Sequence, residues 1–528
     1  MTEIKGELKD RKLYLQLSGH IDSTNAAQIE EKIQELAGNA RVSVLIDAQD
    51  LDYMSSAGLR ILLRLRKRNE DIRIINVKPE VYEVFEMTGF TQMMTVDKAY
   101  RKVSVEGCEV IGEGANGKIY RIDQDNVVKV YKNADALDEI QNEREVARLA
   151  LILGIPTAIS YDVVRVGDSY GSVFELLNAK SFSKILATQP ERMDWCVDEY
   201  VKMLNKIHST IVPEGDLPDM KETALNWGRF LEDYLPEEAY RKLISLIEAV
   251  PHDDHMIHGD YHTKNLELTN DEVILIDMDT LAVGHPVFEL ASMFNAFQGF
   301  SEYDHAAIKD FMGFDHDTAT EFWHKVLVKY LRNIDEDVIK DAEDKARIIG
   351  YTRLIRRSIR RQGLETEDGR AEIELWKKEL LELLEKKDSL LFDRHEMYVE
   401  ANLGNLPDVL DFAEYRLNEM DCPKKTEMQI SIAIEELFTN VAKYAYDPGT
   451  GNVSIRIEED KENGSAVITF EDKGMPYDPL AKEDPDVSLS AEERAIGGLG
   501  IFMVKQSMDD MAYRHEDGKN ILTLWKKL

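Results

Sequence analysis

HGDYHTKN, residues 258–265, followed by LIDMDT, residues 275–280, sets Asp260 and Asn265 five residues apart and puts a second aspartate, Asp277, at the end of an apolar strand. Phosphoryl transfer uses these residue types. A carboxylate orients and deprotonates the acceptor hydroxyl, while an amide and a second carboxylate hold the Mg²⁺ ions that neutralise phosphate charge. A lone aspartate after a strand is ordinarily a cap or turn residue, but here further motifs precede it. GEGANG, residues 112–117, places Gly112, Gly114 and Gly117 between the strand-like CEVI and KIYRI, and a glycine-rich turn leading into a strand reads as a flap over phosphates. Lys129, in VVKVY, stands on the next strand, where a kinase lysine pairs with the α- and β-phosphates. In the helical stretch DEIQNEREVARLALIL, Glu145 is the acid expected to hold that lysine, with Glu143 two residues away.

In this order the elements resemble the aminoglycoside and choline phosphotransferase branch of the protein-kinase-like fold. HGD stands for HRD, and GHPVFELA, residues 284–291, is similar to that branch's GDPxxDLA, with Glu289 where the family has Asp. LILGIPTAISYDVV has the family's ELGIPTP-like phrasing, and FELL, residues 174–177, looks like the hinge between lobes. The resemblance implies a bilobal ATP-dependent kinase with Asp260 catalytic, Asn265 and Asp277 on metal, and Gly112, Gly114, Gly117, Lys129 and Glu145 around ATP. Neither composition nor spacing identifies its acceptor. Arg353, Arg356, Arg357, Arg360 and Arg361 recur at helical spacing in YTRLIRRSIRRQ, either to dock an anionic partner or a neighbouring acidic surface, or as a solvated, internally paired face. AEIELWKKELLELLEKKDSLLF has one apolar stripe and reads as a core-facing last helix or a short dimer helix.

Near the start, LYLQLSGHID alternates like a half-buried strand, and Ser23, Thr24 or Asn25 is placed to cap the helix that follows. After the buried strand VSVLIDA comes DYMSSAGLRILLRLRKR, in which Ser55 and Ser56 stand where a helix begins. Serines there are ordinarily only caps. Yet a helix N-terminus also favours an anion by about 0.3–1 kcal/mol, and phosphate would add roughly −1.5 to −2 charge to the surface a partner meets. LSGHIDSTNA with VLIDAQDLDYMSSAGLRILL resembles the STAS domain of bacterial anti-sigma factor antagonists, whose phosphoacceptor serine matches Ser56. Ser55 replaces the family's common Asp and is the alternative acceptor.

Near the end, EMQISIAIEELFTNVAKYAY puts Glu436 and Asn440 four residues apart on one helix face, suited to polarising a hydroxyl and binding Mg²⁺ beneath a nucleotide. FEDKGMPYDP places Asp472 at a strand end to accept from an adenine amino group, with Gly474 allowing close approach. AIGGLGIFMVKQSMD offers Gly497, Gly498 and Gly500 before a helix for the phosphates, and DPLAKEDPDVSLSAEERAIG reads as a lid. The ordered trio resembles the histidine-kinase-like ATPase fold of anti-sigma factor serine kinases, which implies Glu436 as catalytic glutamate, Asn440 as magnesium ligand and Asp472 as adenine acceptor. A histidine kinase is the rival, since His395 precedes Glu396, but HEMYVE lacks the rest of a phosphoacceptor helix.

The 528 residues fit three domains. The expected fold class is α/β and α+β multidomain: a STAS α/β domain over 1–104, a bilobal protein-kinase-like domain over 105–392 and an α/β sandwich (Bergerat-type) ATPase domain over 393–528. A formal charge of −35, from 100 acidic against 65 basic residues, argues against nucleic acid as partner. Three scattered cysteines, a polar N-terminus and no long apolar run imply a reducing cytoplasm and no membrane span. The leading expectation is a bacterial partner-switching protein using ATP and Mg²⁺. Its implied partners are STAS or anti-sigma-type proteins, an opposing serine phosphatase and a sigma factor. The alternatives are a small-molecule phosphotransferase regulated by its flanks, whose acidic surface would suit a cationic acceptor such as an aminoglycoside or choline, and a non-catalytic ATP-binding scaffold.

Overall fold

The structure is a computed structural model that describes every residue except 1–2, 10, 39–40, 70, 115–116, 135, 271 and 482–498. Gly497, Gly498 and most of the expected lid therefore lie outside the described residues. The chain divides into two compact units, Met1–Glu145 with Ala158–Leu177, and Val146–Thr157 with Asn178–Leu528.

The first unit begins with a five-stranded sheet in sequential order. Its first two strands, Glu3–Lys9 and Lys12–Ile21, pair antiparallel, and Ser43–Met54, Ile72–Val77 and Thr95–Lys98 follow in parallel. The alternation along Lys12–Ile21 sends Leu13, Leu15 and Leu17 into the core, as a two-residue period requires. Helix Ser56–Arg68 buries Leu59, Ile61, Leu62 and Leu65 on the same core. Gly58 lets its first turn sit close, because a Cβ there would come within 2.8 Å of both Ile21 and Met54. At helix Ala26–Ala37, Asn25 occupies the cap position but makes no capping bond; its Oδ1 accepts from the Asp22 amide instead. A second, six-stranded sheet holds Lys129 on strand Asn126–Tyr131, between Gly117–Arg121 and Ser169–Glu175.

The second unit has two cores. One is helical and is centred on Val287–Phe297, whose residues are buried all round. Helices Met193–His208, His316–Leu331 and Glu336–Arg360 pack on it. Helix Glu367–Lys386 adds Ile373, Trp376, Leu380, Leu383 and Leu384 to the same core, the core-facing of the two expected roles. The other core lies under an antiparallel five-stranded sheet, covered by helices Leu406–Glu419, Lys424–Asn440 and Leu499–Ser507. Its first strand, Glu396–Glu400, bonds to the helical part through Tyr398, which donates to Arg332 O at 2.9 Å and accepts from Ile334 N at 3.1 Å. Among the described residues no helix is long and apolar enough to cross a membrane.

Candidate active sites

Ser55 and Ser56 differ in what the fold leaves them free to do. Ser55 is the N-cap of helix Ser56–Arg68: its Oγ accepts from the Ala57 amide at 3.2 Å and it is half-buried. Ser56, the first helical residue, is exposed. Of the two residues, Ser56 is the more exposed.

Lys129 pairs with Glu143, not with the Glu145 the sequence reading expects. Its Nζ lies 2.9 and 3.1 Å from the two Glu143 oxygens, and Tyr131 donates to the same carboxylate at 2.6 Å. The reason is helix phase. Two residues turn the helix by about 200°, so with Glu143 on the side of buried Ile140 and Ala147, Glu145 points to solvent. Of the glycine-rich turn, Gly112 and Gly117 lie on paired strands, and Gly114 accepts from Lys132 Nζ at 3.1 Å. Gly117 is required there, since a Cβ would fall on the Val130 carbonyl oxygen. Glu143→Ala is expected to weaken ATP binding roughly 10–100-fold, the worth of a charge-assisted hydrogen bond, while Glu145→Ala leaves it near wild type; titration of a fluorescent ATP analogue checks both.

Asp260, Asn265 and Asp277 converge in the second unit. Asn265 Nδ2 donates to the Asp260 carbonyl at 3.0 Å, and Ile276 N donates to Asn265 O at 2.9 Å, which sets Asp277 beside it. Asp277 is exposed and has φ 63°, a left-handed backbone that costs a non-glycine residue energy and that recurs at functional sites. Asn265 Oδ1 accepts no hydrogen bond among the described residues, which leaves an oxygen suited to a hard cation. Asp260 has His262 Nε2 at 3.5 Å and Arg353 Nη2 at 3.7 Å. Burial works to raise its pKa, but the neighbouring His262 imidazole and the Arg353 guanidinium outweigh it and bring the carboxyl to about 2. Asp260 is thus ionised and able to orient a hydroxyl far below neutral pH.

Three residues at these sites take roles that the sequence reading did not give them. Glu289, fully buried, accepts from the His258 amide on Oε2 and from the Gly259 amide on Oε1 at 3.0 Å, so it holds the backbone that carries Asp260. Arg353 adds bonds to Gly259 O at 3.0 Å and Ser292 Oγ at 3.3 Å. The third is Asn520, described below. His258 is itself buried, which lowers its pKa below the imidazole range against the pull of Glu289.

In the last domain Glu436 and Asn440 share a face of helix Lys424–Asn440, both half-buried. Gly500 backs Glu436, since a Cβ built on it would fall on the Glu436 carboxylate. Asp472 ends strand Ser465–Asp472 with Oδ1 accepting from Gly474 N at 2.8 Å and from Asn520 Nδ2 at 2.9 Å. Its Oδ2 accepts no hydrogen bond among the described residues, which suits an incoming amino group. Gly474 is forced by close approach: a Cβ would lie 2.5 Å from the Ala445 carbonyl oxygen. No cluster of three His, Cys, Asp or Glu side chains able to hold a metal occurs among the described residues. His395, exposed and bonded to Asp393 at 3.0 Å, is a surface residue.

The family model of the STAS domain matches residues 3–104, that of the phosphotransferase enzyme family residues 107–322 and that of the histidine kinase-like ATPase domain residues 399–526. Among curated proteins, the chain is 37% identical over 84 residues to the anti-sigma factor antagonist BtrV of Bordetella bronchiseptica, 15% of this chain and 72% of BtrV. It is 26% identical over 96 residues to the serine/threonine-protein kinase BtrW of the same organism, and 30% identical over 100 residues to the serine-protein kinase RsbW of Listeria monocytogenes. Each kinase match takes in 18% of this chain, and the chain spans 66% of BtrW and 61% of RsbW, under two thirds of either. The N-terminal block of the chain belongs to the STAS family of anti-sigma factor antagonists, joined in one polypeptide to a domain of the phosphotransferase enzyme family and to a histidine kinase-like ATPase domain.

Proposed function

We propose that the chain is a partner-switching signalling protein: its last domain is an ATP-dependent serine kinase acting on a STAS serine, and its middle domain is a second kinase acting on a small hydroxyl acceptor. The observation that carries the reading is the contrast at the STAS serines, where Ser55 is spent on capping and Ser56 is exposed. Mg²⁺·ATP supplies the γ-phosphoryl group. Ser56 Oγ bonds to the γ-phosphorus as the bond to the β–γ bridging oxygen breaks, ADP departs, and the hydroxyl proton passes to Glu436. Asn440 and the phosphates would hold the metal, consistent with Mg²⁺ keeping few protein ligands. Phosphate on Ser56 lies at a helix N-terminus, where backbone amides favour it, and its charge disfavours an acidic partner surface. STAS or anti-sigma-type proteins are the fitting partners, with a serine phosphatase to reverse the mark and a sigma factor downstream. In the middle domain Asp260 would orient the acceptor hydroxyl, Asn265 and Asp277 the metal, and Lys129 with Glu143 the phosphates.

The test is phosphosite mass spectrometry on the full chain after incubation with Mg·ATP, beside Glu436→Ala and Asp260→Ala. Phosphate is expected on Ser56 in the wild type and in Asp260→Ala, and not in Glu436→Ala. Mixing Ser56→Ala with Glu436→Ala chains separates transfer within one chain from transfer between chains. An unmodified Ser56 throughout overturns self-phosphorylation.

A further inference from the structure

Of the row Arg353, Arg356, Arg357, Arg360 and Arg361, only Arg353 has a carboxylate within ion-pair distance among the described residues, and three of the five lie over aromatic rings. Arg353 touches Asp260 and lies over the Trp227 ring at 5.3 Å. One turn on, Arg357 lies over Phe300 at 4.5 Å, and Arg356 lies over Phe230 at 5.7 Å. Aromatic faces fix a guanidinium while leaving its N–H edge free and its charge unneutralised. Among the described residues, Arg356, Arg357, Arg360 and Arg361 have no carboxylate oxygen within 4.0 Å, although the chain has 100 acidic residues. Burial first, then the like charges of Arg361 and Arg353, lower the pKa of Arg357, against the opposing pull of Asp260 and Glu372. Guanidinium groups that make no ion-pair contact, one turn from the arginine that touches Asp260, are placed to take an anion.

Arg357 and Arg361 line a cleft of about 390 Å³ together with Asp368 and Glu372. Guanidinium edges take phosphate or carboxylate, and carboxylates accept hydroxyls. Along the helix, Arg357 lies about 6 Å beyond Arg353 at 1.5 Å per residue, and Arg361 caps the helix end, so the row runs from the arginine that touches Asp260 to the cleft. From this geometry we infer that the acceptor of the middle domain is a polyhydroxylated anion, of the sugar-phosphate or sugar-acid class, held at Arg357 and Arg361 with one hydroxyl delivered to Asp260. This rests on reading Asp260 as a phosphotransfer residue. It runs against the cationic acceptor that the net charge suggested, because net charge describes a whole surface and not the walls of one cleft.

Isothermal titration of the full chain with glucose 6-phosphate and gluconate, and with choline and kanamycin, tests it in wild type, in Arg361→Gln and in Arg357→Gln/Arg361→Gln. Arg361 is exposed, so its single variant carries little folding risk. The anionic polyols are expected to bind, less tightly as salt rises, and to lose at least tenfold in affinity in the double variant, while the cations do not bind. Binding of the cations alone, binding of no probe, or anion binding unchanged in the double variant overturns the inference. ATP consumption, compared between wild type and Asp260→Asn with the bound polyol present, is read separately. Anion binding without Asp260-dependent consumption upholds the anion site and removes the phosphotransfer reading.

Discussion

Glu436→Ala is expected to slow phosphate transfer to Ser56 by about 10²–10⁴-fold, the usual contribution of a positioned general base, with ATP affinity close to wild type. The separation follows from where the groups lie on the domain. Glu436 faces the Gly500 backbone, whereas Asp472 is fixed by a different pair of donors, Gly474 N and Asn520 Nδ2 on its Oδ1, which leaves its Oδ2 for the adenine amino group of the proposed nucleotide. Rates of ³²P incorporation at saturating ATP, with a separate titration of nucleotide binding, check both halves. A loss of binding equal to the loss of rate would make Glu436 a binding residue instead. Glu436→Gln sharpens the test: it keeps the length and packing beside Gly500 but cannot take a proton, so it should resemble alanine in rate and wild type in stability.

How far these sites were legible follows the reach of the interactions that build them. Glu436 with Asn440, and Asp260 with Asn265, are local pairs: their spacing alone sets them together, and phosphate chemistry restricts which residue types serve. Glu143 and Glu145 sit in the same polar helical stretch, so residue type could not choose between them. The phase could, because Ile140 and Ala147 lie three and four residues from Glu143 and are buried. Asn520 was invisible for a different reason. It stands 48 residues after Asp472 and meets it only because strands Ser465–Asp472 and Lys519–Lys527 pair in that register. Arg353 was noticed as part of a periodic row, but a row does not say which member faces the Asp260 segment. Packing against Trp227 and the Gly259 carbonyl decides that.

Glu289→Gln is expected to cost roughly 1–3 kcal/mol of local stability and to take most of the phosphotransfer proposed for Asp260 with it. The amide of glutamine matches the carboxylate in shape, but only one of its two terminal atoms accepts. In the native protein both oxygens accept, Oε2 from His258 N and Oε1 from Gly259 N. With the amide oxygen at the ε1 position His258 N loses its acceptor, and with it at the ε2 position Gly259 N keeps only the longer 3.3 Å contact while the new NH₂ faces it; a buried donor left without an acceptor costs about 1–3 kcal/mol. The strained element is the segment that carries Asp260. Hydrogen exchange should show protection lost at the His258 and Gly259 amides while the antiparallel sheet of the last domain exchanges as before. Full protection at those two amides in the variant would mean that the loop is held by Thr280, Ser292 and Arg353, which bond to its carbonyls. The separate readouts matter because the two proposed kinase sites share one chain. A general unfolding would slow Ser56 labelling as well, whereas a fault confined to the Asp260 loop leaves Glu436-dependent labelling of Ser56 at the wild-type rate.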